Sequence, residues 1–456
     1  MEYSILSIII PLLTIILAIA TKDVVISLLG GIFAGELVLH SYNPFDAFLA
    51  LFDGIVALFA KGWITKTIIF MLLVGAIIKI ITNSGAIDRF VAYLSQKAKT
   101  IDSAKGAMML AYIIGVVIFI ESSITSLVAG TVARPLCDKH GVSRAKLAYI
   151  CDSTSAPICS LIPLNAWGAL LLGLITTAID SHIIQGDALS LLAHSIIYNF
   201  YSIFTLIIVL AVIYLKFELP PMKHSKAIDY IPTKDIDSIT PSLWSMVLPI
   251  AVMVVGVPVG LYLSGGGDIL KGSGSTSVYY SVIVTLIFLY LYYVPKKMIS
   301  HKDYFNSLYD GMSDMIPVVI ILILALFIGN VISDLGTAKY ISSLLDGNIP
   351  TEFVPMIIFL TASVMAFATG TSWGTFSIMM PIGLALAGTM HLDIPLVIAA
   401  VISGGIFGDH SSPISDTTII SSMASGCDHI EHVRTQLPYA LLGGVLASIA
   451  FWLAAR

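Results

Sequence analysis

An all-helical, polytopic membrane protein made of two related halves is the fold class this sequence predicts, and three observations carry that prediction. Hydrophobic residues make up 57% of the 456 and charged residues 11%, with a mean hydropathy of +0.96, a balance that soluble domains do not reach. Apolar runs of spanning length, about 17 to 25 residues, recur from end to end. Short motifs also return in the same order in the two halves, the sign of an internal repeat.

The uninterrupted runs lie near 3–20, 24–41, 64–83, 190–216, 243–264, 276–294, 314–335 and 436–455. The first lacks a basic leader and a small-x-small cleavage site, so it reads as a retained helix. Four further stretches are irregular. Segments 146–179 and 394–425 read as single crossings broken in the middle, at 152–163 and at 404–416, where Gly404, Gly405, Gly408 and Pro413 interrupt the pattern. Segments 106–133 and 353–388 carry small polar residues at their centres and read as re-entrant hairpins.

Positive charge supports the hairpins, because Lys and Arg gather in short cytoplasmic loops. Arg89, Lys97, Lys99 and Lys105 precede 106–133, and Arg134, Lys139, Arg144 and Lys146 follow it. The segment therefore enters and leaves on one face, with its tip near Glu121–Thr125. The second hairpin is flanked by Lys339, Asp346, Glu352 and Asp393, so its tip at Thr369–Gly374 is reached from outside. Phe52-Asp-Gly54 returns as Tyr309-Asp-Gly311, and Asp152-Ser-Thr-Ser-Ala-Pro157 is echoed by Gly408-Asp-His-Ser-Ser-Pro413. The expected plan is an N-terminal helix in 1–23, a first repeat in 24–217, a cytoplasmic linker and connecting helix in 218–275, and an inverted second repeat in 276–456. That amounts to about ten crossings and two hairpins, as in secondary transporters, with both termini outside on the charges Glu2, Lys22 and Arg456.

The string Phe407-Gly-Asp-His-Ser-Ser-Pro-Ile-Ser-Asp-Thr-Thr418, followed by Gly426-Cys-Asp-His-Ile-Glu-His-Val-Arg-Thr-Gln-Leu-Pro-Tyr-Ala440, resembles the signature of the NhaC family of Na+/H+ antiporters, within the ion transporter superfamily. The likeness continues in Arg134-Pro135, Ser143-Arg144 and Lys146-Leu-Ala-Tyr-Ile-Cys-Asp-Ser-Thr-Ser-Ala-Pro157. One departure is Phe119-Ile-Glu-Ser-Ser-Ile-Thr125, where many members carry paired aspartates. The resemblance implies Na+/H+ exchange by alternating access, with one bundle moving against the rest, although members also carry organic acids and amino acids.

Ionisable side chains at membrane depth are costly, and they mark transport or proton-relay sites. Asp409 is the expected ion-binding carboxylate, with the hydroxyls of Ser411, Ser412 and Thr371 as further oxygen ligands; Asp409, Ser411 and Thr371 form the expected Na+ set. His410 either titrates during transport or sits neutral and hydrogen-bonded. Asp416 follows Pro413 where a helix restarts, so capping and ion binding both suit it. Glu121, with Ser123 and Thr125, has no basic neighbour in sequence and reads as functional. Asp152, Ser153 and Ser155 form the first-half counterpart of the Asp409 break, and Thr369, Thr371 and Ser372 form the second tip; a turn held by side-chain oxygens explains either group as well. Asn165, beside Trp167, either lines a pocket or satisfies loose carbonyls.

Other features read as structural. Lys79 and Glu36 lie near helix ends and suit snorkelling. The four cysteines lack metal-ligand spacing and read as packing residues. Asp428, His429, Glu431, His432 and Arg434 lack the second ligand cluster that a structural zinc requires.

The first functional reading is a Na+/H+ antiporter of the bacterial cytoplasmic (inner) membrane. The alternative is a Na+- or H+-coupled transporter of an organic anion or amino acid on the same fold. An intramembrane hydrolase using His410 and Asp409 lacks a His-Glu-x-x-His helix or a Gly-x-Ser-x-Gly elbow. No phosphate-binding loop points to ATP, and no cofactor is expected beyond the transported ions. The expected partners are lipid, Na+, H+ or a small organic solute, with no nucleic acid at a net charge of -5, and a second copy of the chain in a homodimer.

Overall fold

In the computed structural model the described residues are 6–21, 23–98, 103–119, 121–162, 164–225, 240–267, 272–336, 340 and 350–456, and their regular structure is helical throughout. Ten of the helical segments are long and apolar enough to cross a membrane, among them both arms of the second hairpin, Thr351–Thr369 and Ser372–Met390. Polar residues at the turns start the helices. Asp23, Asn43, Ser103, Ser143, Asp187, Asp393 and Asp428 each accept a backbone N–H of the first turn that would otherwise lack a partner.

The halves run through the same succession. An Asp-Gly helix (Pro44–Phe59; His301–Asp314) precedes a long helix (Gly62–Asn83; Ile316–Asp334), then a hairpin (Ala104–Val117 with Ser122–Lys139; Val354–Thr369 with Ser372–Met390). A broken helix follows (Arg144–Leu161 with Ala166–Asp180; Ile394–Ser411 with Asp416–Ser425), and then an apolar helix (Phe200–Leu215; His429–Ala454). Packing is reciprocal between the halves. Gly311 of the second Asp-Gly helix lies against the backbone of Gly75 in the first long helix, while Gly54 of the first faces Phe327 of the second. Likewise, the second arm of each hairpin packs on the distal piece of the other half's broken helix.

Both breaks lie at the far ends of the expected windows, 152–163 and 404–416, and not across their whole length. Asp152 to Pro157 is helical, and the helix runs on to Leu161, the next one starting at Ala166. Hydroxyls there bond back into the helix rather than opening it, Thr154 to the Ile150 carbonyl at 2.7 Å and Ser155 to that of Asp152 at 2.9 Å. In the second broken helix Gly404, Gly405 and Gly408 are also helical, and the chain opens only at Ser412–Ser415. Their role is close approach. A Cβ at Gly404 would lie 2.5 Å from the Phe359 carbonyl oxygen, and one at Gly408 2.4 Å from Ala366 Cβ and from the Phe367 nitrogen. The missing side chains thus let the first arm of the second hairpin seat directly on this helix.

Three further expectations change. The run 190–216 is interrupted: Ala188–Ser195 passes into a short 3-10 turn and restarts at Phe200. Asn199 at the restart donates to Ser160 at 2.9 Å and accepts from Ser403 at 2.9 Å, tying three elements together. Lys79 does not snorkel alone but pairs with Asp314 at 2.9 Å. Glu36 is 7% exposed beside His40 rather than at an open interface. Cys427, in the loop before the last helix, has its thiol pushed up to about 12 by burial. Lys99, Lys339 and Asp346, on which part of the charge argument rests, lie outside the described residues, as do Glu2, Lys22, Pro163 and most of the 218–239 linker.

Candidate ion-binding cavity

The two hairpin tips and the two helix breaks converge on one cavity of about 420 Å³, which is also lined by Ile78 and Val318 of the long helices and by Met315 just before the second of them. Each polar wall residue is placed by local chain physics. Glu121 is the N-cap of the second arm of the first hairpin, its two oxygens accepting the Ser123 N–H at 3.0 Å and the Ile124 N–H at 2.7 Å. Asn165 closes the first break: its oxygen caps the next helix at Gly168, 3.1 Å away, and its amide donates to the Phe119, Cys159 and Ile162 carbonyls. Gly370 turns the second tip in the left-handed region (φ 68°), where glycine is at no steric disadvantage. Thr371 follows it and lines the cavity.

Asp409 reaches the same space from the last turn of its helix and is only 2% exposed. Ser372 of the second hairpin donates to one carboxylate oxygen at 2.8 Å, and Ser415, across the break, donates to the other at 2.6 Å. Ser415 occupies the N-cap position of the next helix yet makes no capping bond, because its hydroxyl turns to Asp409. Asp416 is therefore the first helical residue and not the cap; it accepts its neighbour Thr417's N–H at 2.8 Å and is exposed, lining the cavity. Three carboxylates thus face one space, and no Lys, Arg or His is among the described residues that line it. Trp167 and Trp373 stand beside them with ring centroids 6.1 Å apart at 74°.

A second polar network lies behind this cavity. Asp152 is fully buried, one oxygen accepting from Gln436 at 2.7 Å and from His432 at 3.2 Å. The same Gln436 amide donates to the His410 carbonyl. His410 turns away from the cavity, its ring nitrogens hydrogen-bonded to Ser153 at 3.0 Å and Tyr201 at 2.7 Å. The other Asp152 oxygen, Gln436 Oε1 and His432 Nδ1 have no partner among the described residues.

The structure therefore sorts the expected site residues into separate groups. Asp409, Asp416, Glu121, Asn165 and Thr371 come together at the cavity, and Ser372 joins them through its bond to Asp409. Asp152, Ser153 and His410 belong to the network behind it. The remaining hydroxyls serve the chain: Ser411 donates to the Phe407 carbonyl at 2.6 Å, Ser412 to that of Phe367 at 2.8 Å, and Thr369 to that of Met365 at 2.9 Å. Thr125 bonds the carbonyls of Ile118 and Glu121, and Ser155 bonds its own helix. Ser123 contributes its backbone N–H to Glu121. Of the expected Na+ set, Asp409 and Thr371 line the cavity and Ser411 does not. Sequence reasoning missed Ser415, Gln436, His432 and Tyr201. His432 and Gln436 are four residues apart on one helix face, a spacing that marks a shared partner. His429, by contrast, meets the Pro413 carbonyl at 2.7 Å, so the two histidines of that stretch serve different neighbours.

Comparison with known proteins adds an independent line. A family model described as the Na+/H+ antiporter family matches residues 158–455. An uncharacterized protein of Haemophilus influenzae is 36% identical, over 98% of this chain and 90% of its own. The malate-2H+/Na+-lactate antiporter of Bacillus subtilis is 34% identical over 33% of this chain and 32% of its own. Among solved structures, MtrF of Neisseria gonorrhoeae shares the fold with a TM-score of 0.59 and 14% identity, covering 90% of this chain and 85% of that one.

Proposed function

Because the chain belongs to the Na+/H+ antiporter family, we propose that it exchanges Na+ for H+ through the central cavity, with Asp409 as the carboxylate that holds either ion. The supporting observation is the setting of Asp409. It is buried at a helix break, both its oxygens are held by hydroxyls, and no basic side chain neutralises it among the described residues. Hard oxygen ligands suit Na+. Ser372 and Ser415 present their oxygens to a bound cation by rotating their hydroxyl hydrogens, and Thr371 and Asp416 supply further oxygens from the second tip and the second break.

Exchange follows from charge. A bare carboxylate carried through hydrocarbon is costly, and Na+ or H+ relieves that cost equally well. The bundle of two hairpins and two broken helices then crosses only when one of them is bound, which couples the two fluxes in an elevator-like cycle. The reciprocal packing of the halves supports the inverted-repeat plan such a cycle uses. An organic anion, the alternative cargo, would face three carboxylates and no cation, so the cavity's charge favours the cation reading.

The sign of the pH dependence is fixed by competition. Protonating Asp409 removes the charge that holds Na+, so apparent Na+ affinity falls as pH falls. In proteoliposomes with imposed Na+ and pH gradients, Asp409→Asn is expected to abolish Na+ binding and coupled flux while the protein remains folded. Retention of pH-dependent Na+ binding in that variant would overturn the assignment.

A further inference from the structure

Behind the cavity, the network of Asp152, His432 and Gln436 is short of one hydrogen. Asp152 and His432 are both fully buried, and one Asp152 oxygen accepts from the His432 ring at 3.2 Å and from the Gln436 amide at 2.7 Å. That amide also donates to the His410 carbonyl. With the imidazole neutral, Nε2 carries its hydrogen toward Asp152 and Nδ1 is a bare lone pair. The atoms of the network without a partner among the described residues are then His432 Nδ1, Gln436 Oε1 and the other Asp152 oxygen. All three are acceptors, and buried acceptors left in that state are costly.

A proton on Nδ1 changes the count. It turns one of the three into a donor, one helical turn from Gln436 on the same face, and makes Asp152 and His432 a neutral pair. His410 shows the contrast: its ring nitrogens meet Ser153 at 3.0 Å and Tyr201 at 2.7 Å, so its neutral form is already satisfied.

We infer that Asp152 and His432 form a second proton-binding site, and that the bundle crosses only while this proton is in place. The inference rests on the exchange reading above. Asp409 is neutralised in turn by Na+ and H+; Asp152 lies on the other broken helix, where a bare carboxylate carries the same cost, and the His432 proton meets it in both directions. The helix bearing His432 packs on both broken helices and on the second hairpin, so the pair travels as a unit. The titratable groups around it are Tyr149 and Cys151 on the Asp152 helix, Tyr439 on the His432 helix, His410 and Tyr201 from the helices packed against them, and Asp409 and Asp416 at the cavity.

The test is Na+/Na+ exchange of the full-length protein in proteoliposomes, followed with radiolabelled Na+ at saturating Na+ on both sides. Asp409 then carries Na+ in both directions and needs no proton, so the pH dependence that remains belongs to another group. The wild type is expected to lose exchange as pH rises, by about tenfold per pH unit once His432 has titrated. His432→Gln keeps a donor to Asp152 but cannot hold the proton, and is expected to lose exchange about tenfold or more at every pH. Adding Asp152→Asn removes the charge and is expected to restore exchange without the alkaline fall. Nitrogen NMR of the histidine-labelled protein in detergent is expected to show, at about pH 6, a doubly protonated imidazole that is missing in His432→Gln. A neutral His432 at that pH, a flat pH profile in the wild type, or a double variant that melts normally yet is as inactive as the single one overturns the inference and leaves exchange at Asp409 intact. A doubly protonated His432 in a protein that exchanges Na+ for neither Na+ nor H+ overturns the antiport reading and leaves the second proton site standing.

Discussion

The amide nitrogen of Gln436 serves two acceptors at once, Asp152 at 2.7 Å and the His410 carbonyl. Replacing it with Leu leaves the buried Asp152 carboxylate with His432 alone and frees a buried carbonyl. Loss of a hydrogen bond to a charged group costs about 1.5–3 kcal/mol, so Gln436→Leu is expected to lower thermal stability in detergent by an amount of that order. An unchanged melting curve would remove Gln436 from the network. At this scale sequence reasoning found the costly residues, Asp409, Glu121, Asp152 and Asp416, because charge in an apolar chain stands out. Their partners did not stand out. Ser415 and Ser411 are chemically alike and near neighbours, and only the direction of the chain after Ser411 turns one hydroxyl to Asp409 and the other to the Phe407 carbonyl.

Among the elements, the second broken helix and the second hairpin depend on the glycine contact between them. A methyl at Gly408 would press on backbone and on Ala366 Cβ at 2.4 Å, atoms that cannot swing aside. Gly408→Ala is therefore expected to destabilise the protein by about 1–3 kcal/mol or more through overpacking. Gly62, with nothing within 4 Å of its added Cβ, serves as the control: Gly62→Ala is expected to be neutral or slightly stabilising in the same melting assay. The first hairpin makes a topological prediction. Cysteines placed at the exposed positions Ser103 and Lys139 should both react with an impermeant reagent from the cytoplasmic side, and labelling from opposite faces would replace the hairpin with a single crossing. Helix lengths were legible from the apolar runs. The amphipathic helices Pro44–Phe59, Ala86–Ala98 and His301–Asp314 were not, because their mixed composition falls below the threshold of a spanning run.

On the scale of the whole molecule, the proposed exchange cycle requires the bundle of hairpins and broken helices to move against the other helices. Gly374 in the second hairpin and Val24 in the second helix of the chain form one contact across that division, with a Cβ at 374 lying 2.3 Å from a Val24 methyl. In a background with the native cysteines replaced, a disulfide between Val24→Cys and Gly374→Cys is expected to stop flux while leaving Na+ binding in place, and a reductant should restore transport. Undiminished flux in the oxidised protein would mean that the two regions move together.

Composition and run length alone determined that this chain is a helical membrane protein, since burying that much apolar surface in water-exposed form is untenable, and the repeated motifs set the order of its elements. The positions of the breaks were decided only by tertiary structure. Glycine and proline weaken a helix wherever they occur, but whether it opens depends on what packs there. At Gly404 and Gly408 a neighbouring helix fills the gap and the helix continues; at Ser412–Ser415 the Ser412 hydroxyl turns to the Phe367 carbonyl of the hairpin while Ser415 reaches back across the opening to Asp409, and the helix stops. The gathering of Glu121, Asp409 and Asp416 around one space was likewise invisible along the chain. They come from a hairpin in one half and a break in the other, separated by nearly 290 residues of sequence, and only the packing of each half's hairpin on the other half's broken helix brings them together.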